Sequence, residues 1–201
     1  MNTTLNGTLA KVMYVAGVTT FCTFLGCWAV LAHQGSMAAS RPSMMDTHFA
    51  KAAAQGGMAE VKLGQLAVDH GTNDAVKSFG QHMVDDHTKA GDQLKQVAQS
   101  ENMNLPGDIS AKDKASYDAL SKLSGAAFDK AYARDMVKDH EEDIAEFQKE
   151  ANGGKDQALK NFATETLPTL KDHLKQAREM MKAVTTTART THPSAAQHGR
   201  R

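Results

Sequence analysis

The dipeptide Asp-His occurs four times in this sequence, as Asp69-His70, Asp86-His87, Asp139-His140 and Asp172-His173. Random placement of the nine His among the Asp residues would yield about 0.7 such pairs. Imidazole exchanges protons near neutral pH and ligates transition metals through either ring nitrogen, and a carboxylate nearby can accept its second N–H and fix its orientation. Two copies share a longer frame. Phe79-xxx-Met83-Val84-x-Asp86-His87 matches Tyr132-xxx-Met136-Val137-x-Asp139-His140. In each copy the His falls on an apolar stripe of helical period and the Asp lies about 100° away on its edge. A histidine turned inward must satisfy both ring nitrogens, by hydrogen bonds or by a metal.

Four long helical patterns must position these side chains. The first begins at Asp46 or Thr47 and runs to about His70, with Phe49, Ala53, Glu60, Leu63 and Ala67 on one stripe. The second runs from about Asn73 to Ser100 through Val76, Phe79, Met83, His87 and Leu94. The third spans about Gly125 to Ala151 through Phe128, Tyr132, Met136, His140 and Phe147, and Asn152-Gly153-Gly154 stops it as a left-handed cap would. The fourth runs from about Lys155 to Ala183 through Leu159, Phe162, Leu170, His173 and Met180. Within it, Pro168 removes one backbone donor. Short links join the first helix to the second and the third to the fourth, so each pair is an antiparallel hairpin. Residues 101–124 form a much longer link with room for a short helix around 111–123. These lengths predict an all-α, ferritin-like four-helix bundle with a long crossover between the second and third helices.

Distance from the turns decides which polar side chains meet. At 1.5 Å per residue, Glu60, His87, His140 and His173 fall within roughly 9 Å of mid-bundle height, one on each helix. His70 sits beside the first turn and is excluded. The expected metal ligands are therefore Glu60, His87, His140 and His173, with Asp86, Asp139 and Asp172 orienting the rings. Three nitrogens and one oxygen suit a single Zn, Fe, Ni or Cu ion. Against this stands a plain core: inward histidines bonded to neighbouring polar groups, and Glu60 on the surface paired with Lys62 or Lys77. Met58, Met83, Met136 and Met180 are read as core filler.

Composition narrows the classes further. Twenty-three basic residues balance 23 acidic ones, which argues against a nucleic-acid binder. Both cysteines, Cys22 and Cys27, lie in the apolar run Val12–Ala32 that follows Lys11, so the rest of the chain holds no disulfide. That run has the pattern of an export signal. Cleavage near Ala32 or Ala38, retention as a membrane anchor, and lipidation at Cys27 are the three alternatives, and all place the domain outside the cytoplasm. The expected organisation is residues 1–38 as signal or anchor, 39–46 as linker, 47–183 as the bundle and 184–201 as a disordered tail. No nucleotide or flavin loop is visible, and the expected partner is an envelope protein or membrane.

Met58-Ala59-Glu60-Val61, Phe79…Met83-Val84-x-Asp86-His87-Thr88, Phe128-Asp129…His140 and Leu167-Pro168…His173-Leu174 together resemble the bacterial Domain of Unknown Function 4142 family. The likeness covers nearly all of residues 47–182. It implies an exported or membrane-associated ferritin-like bundle, in a family often labelled as outer-membrane proteins, and it brings no established reaction. A ferritin-type di-iron site would need Glu-x-x-His on two helices. Val84, Val137 and Leu170 stand three residues before the histidines, and Gly91, Ile144 and Ala177 four after. The expected function is an envelope binding or stress-protective module holding one metal ion. The alternatives are a metal-free structural protein, and a redox or hydrolytic metalloenzyme with Tyr132 near its centre.

Overall fold

A computed structural model describes residues 42–190 of the chain, all within the unit Ala38–Arg201. The expected export segment at 1–38 and the last residues of the tail lie outside the described residues. Five helices make up the fold: α1 (Met44–His70), α2 (Asp74–Ser100), α3 (Ala111–Leu120), α4 (Gly125–Gly153) and α5 (Gln157–Thr190). Among the described residues there is no strand, and no helix is long and apolar enough to cross a membrane.

Local chemistry sets the helix ends. α1 starts earlier than expected, inside the stretch read as linker, because Ser43 caps it and Asp46 closes a capping box. Such a cap stabilises a helix by about 1 kcal/mol. Asn73, near which the second helix was expected to start, caps α2. Gly154 ends α4 in an extended conformation (φ −54°, ψ 150°), not the left-handed one that the paired glycines suggest. α5 continues through Pro168; Pro168 and Thr164 are both exposed, so water can meet the carbonyl that loses its donor. It also continues seven residues beyond Ala183, into the stretch expected to be disordered. The Thr185 and Thr186 hydroxyls donate back to carbonyls of the preceding turn there, and Val184 is buried.

Packing follows the two hairpins. α1 lies along α2 and α4 along α5, and the pairs meet through α2 against α5 and α1 against α4. α3, within the long link, rests on α1 and α4. The first hairpin is pinned where Gly64 faces Gly80. A Cβ on either would stand 2.6 Å from the other's carbonyl oxygen, so only glycine lets these backbones approach so closely.

The buried apolar side chains form two clusters. One gathers Leu63, Leu66, Val76, Phe79, Met83, Phe128, Tyr132, Met136 and Met180. The other gathers Phe49, Leu94, Phe147, Leu159, Phe162 and Leu170. Burying a side chain of this size stabilises the fold by about 1.5–3 kcal/mol. On each long helix one polar residue falls between its contributions to the two clusters: Glu60, His87, His140 and His173. A polar layer therefore divides the core at the height that the turn distances predicted.

Candidate functional site

The four residues of this layer are almost without solvent contact: Glu60 is 1 % exposed, His87 7 %, His140 0 % and His173 2 %. Ring centroids are 6.0 Å apart for His87 and His140, 5.3 Å for His87 and His173, and 5.4 Å for His140 and His173. Each histidine offers one ring nitrogen, and the three nitrogens lie within 4.8 Å of one another. Phe79 closes one side, 6.1 Å from the His140 ring and 6.4 Å from His173.

Hydrogen bonding assigns the protons. His140 Nδ1 lies 2.9 Å from the Met136 carbonyl. A carbonyl can only accept, so Nδ1 carries the hydrogen and the Nε2 of the neutral ring is a bare lone pair. By the same reasoning His87 Nδ1 donates to Glu60 Oε2 at 2.8 Å. His173 Nε2 donates to Asp86 Oδ2 at 2.9 Å. The opposite nitrogens, His87 Nε2, His140 Nε2 and His173 Nδ1, are buried and have no hydrogen-bond partner. So is Glu60 Oε1, which stands 3.3 Å from His140 Nε2. A lone pair facing a carboxylate oxygen repels it unless a proton or a metal ion lies between them.

Electrostatics follows this geometry. Burial would raise the Glu60 carboxyl, but His87 and His140 outweigh it and hold the group below its usual range. Burial would lower His87, but Glu60 carries it above the ordinary histidine value. Burial keeps His140 and His173 below that value despite the opposing pull of Glu60 and Asp86. One ion pair, His87 with Glu60, thus sits beside two neutral rings.

A second cluster adjoins the first. Glu60, Asp139 and Asp143 each bring one oxygen within 4.8 Å of the others. Burial and the charge of Glu60 push Asp139 up to about 7 and Asp143 well above the carboxylate range. This close to the Glu60 anion, Asp139 and Asp143 hold on to their protons or share a cation with it. The Tyr132 hydroxyl is buried without a partner; burial and the Glu60 charge hold it well above the usual phenol value. Its ring stacks on Phe128 at 5.7 Å.

The structure brings Glu60, His87, His140 and His173 together and buries Glu60, which removes the surface reading. Lys62 pairs with Asp108 instead. Asp86 orients a histidine, though it is His173 on the facing helix and not its own neighbour. Asp139 joins the carboxylates around Glu60. Asp172 does not join: it is exposed and accepts a bond from Gln176, because one step along α5 from inward-facing His173 turns it outward. His70 stays outside, bonded to the Leu123 carbonyl. Met83, Met136 and Met180 are core residues. Sequence reasoning missed Asp143. Its signal was the i,i+3 spacing from His140, which puts both on one helix face.

Fold and site together define an all-helical bundle with a histidine–carboxylate layer in its core. The chain belongs to the family described as domain of unknown function (DUF4142), whose model matches residues 31–180. Among solved structures it is similar to a DUF305 fragment from Deinococcus radiodurans, at 12 % identity and a TM-score of 0.63. That match covers 71 % of this chain and 98 % of the other, and it speaks for the fold alone. The search of curated proteins finds no match.

Proposed function

We propose that this protein is an exported binding or stress-protective module of the bacterial envelope that holds one transition-metal ion in its core. His87 Nε2, His140 Nε2 and His173 Nδ1 would be the nitrogen ligands and Glu60 Oε1 the fourth donor. The observation that carries this reading is the set of three buried ring nitrogens without partners, each opposite a nitrogen already anchored to a carboxylate or carbonyl. Metal-binding histidines are normally held in this way. The spacing supports it too. Metal–ligand bonds of about 2.0–2.1 Å give a tetrahedron an edge of about 3.4 Å, and Glu60 Oε1 lies 3.3 Å from His140 Nε2. The donor set suits Zn, Fe, Ni or Cu. A bound ion would supply Lewis acidity, and Fe or Cu also one-electron chemistry, while the chain orients the rings and excludes water. The bundle is read as ferritin-like, supported by the pairing of α1 with α2 and α4 with α5. Residues 101–124 then act as the crossover. Export rests on the apolar run at Val12–Ala32.

Elemental analysis of tag-free protein tests the reading. About one metal per chain, lost in His87→Ala and His140→Ala, is the expected result. No stoichiometric metal, and no stabilisation by added Zn, Cu, Fe or Ni, overturns it. A second reading, a metal-free structural bundle, is favoured by the Glu60–His87 pair at 2.8 Å, which balances one buried charge against another without an ion. It predicts that the same substitutions cost stability and nothing else.

A further inference from the structure

Beside the polar layer a pocket of about 500 Å³ opens between α1, α2 and the loop at residues 105–108. Its size suits a small organic molecule. Ala54, Met58, Val61, Leu94 and Leu105 make its walls mainly apolar, and His87 forms part of its lining. Three glycines, Gly57, Gly91 and Gly107, also line it, and a Cβ on any of them would meet nothing within 4 Å. This separates them from Gly64 and Gly80, where a Cβ would strike the facing backbone. Glycine inside a helix weakens it relative to alanine. Gly57 and Gly91 are mid-helix, and no close approach of backbones requires them. What their missing side chains provide is the open space itself: the hairpin is closed at Gly64 and Gly80 and open at Gly57 and Gly91.

Charge at the mouth indicates the occupant. Lys62 is paired with Asp108 at 2.9 Å and Lys95 with Asp92 at 3.0 Å, so neither cation is left over for an anion. The Lys62 pair also fastens the loop over α1, helped by Gln55 Nε2 donating to the Asp108 carbonyl at 3.5 Å. A smaller cavity of about 20 Å³, large enough for about one water, shares Gly57, His87, Gly91 and Leu94 with the pocket and carries Glu60 and Asp143 on its wall.

We propose that this pocket binds a neutral, mainly apolar small molecule, seated between Gly57 and Gly91 with one end beside His87. The site is independent of whether the polar layer carries a metal. It is tested with N-phenyl-1-naphthylamine, a neutral apolar fluorophore, titrated into the tag-free chain with EDTA and again with added zinc. A saturable rise in fluorescence at one probe per chain is expected in both conditions. Gly91→Leu and Gly57→Leu place their branches in the open space; they should melt no earlier than the parent and bind the probe at least tenfold more weakly. Met58→Lys, which puts a charge on the wall, should weaken binding similarly. If a leucine variant unfolds early, Met58→Lys decides alone. Non-saturable fluorescence in the parent, or parental affinity in the folded variants, overturns the proposal. Zinc uptake is measured on the same samples, so failure of the metal site and failure of the pocket are read separately.

Discussion

Glu60 and Glu150 are each 1 % exposed, one at mid-height of the bundle and one near the end where α1 and α5 begin. Glu60 faces histidines and is held below the carboxylate range, so it is an anion paired with His87. Glu150 has no hydrogen-bond partner on either oxygen. Burial, then Asp46 beside it, push it up to about 7. Asp46 takes the opposite course and is lowered to about 2: burial would raise it, but Ser43 bonds it through side chain and backbone, and the Lys155 N–H donates to it at 2.7 Å. Burial alone therefore does not fix the charge of a carboxyl group. Its neighbours decide whether the proton is expelled or kept.

The largest effect expected from breaking this comparison is at Glu60. Glu60→Gln removes the anion that holds the His87 proton against burial and breaks the buried pair from one side, at a cost of about 3–5 kcal/mol in metal-free protein. Thermal unfolding with EDTA should show a drop on the order of 10 °C. A loss under about 1 kcal/mol would mean that the pair carries no buried charge.

Next comes metal. Zinc at a hundredfold excess over its dissociation constant should stabilise the parent by about 2.7 kcal/mol and leave His140→Gln unmoved. Equal stabilisation of both proteins would place the metal elsewhere.

Glu150→Gln should have the opposite sign from Glu60→Gln. The folded chain holds the Glu150 proton up to about pH 7, whereas the ordinary value is 4.5. Parent stability from this group is thus complete below pH 4.5 and declines as pH rises through 7. Glutamine has no proton to lose and can donate to Asp46, so the variant should gain about 1–2 kcal/mol at pH 8 and little at pH 4.5. Asp46 works in reverse: its contribution is present above pH 3.8 and lost as pH falls toward 2. Unfolding measured from pH 2 to 8 checks both limbs.

The last comparison, which includes the smallest effect, separates the two aspartates beside histidines. Asp86→Ala removes the acceptor of His173 and should weaken metal affinity about 10- to 100-fold. Asp172→Asn, on the exposed face, should change affinity and stability by less than about 0.5 kcal/mol. Competition titration against a metal chelator distinguishes them.

Much of the fold was legible because helical periodicity is a local property. The stripes of α1, α2, α4 and α5 and the short turns between them follow from residue types alone, and with the 1.5 Å rise they put Glu60, His87, His140 and His173 at one height. Helix ends were less legible. Ser43, at the edge of a low-periodicity stretch, takes the cap in place of Asp46 or Thr47, and tertiary contact at Val184 carries α5 past Ala183.

What the sequence by itself determined is which residues face inward and at what level, since one chain's geometry sets both. The partners were decided only by tertiary structure. Asp86 turns to His173 across the α2–α5 contact, Asp143 on α4 reaches Glu60 on α1, and Glu150 meets Asp46 from the far end of the sequence. These pairings depend on how two helices are rotated against each other, which no single helix encodes. Which buried carboxyl keeps its proton, and which ring nitrogen is left without a partner, follow from those pairings, so they too belong to the packed molecule.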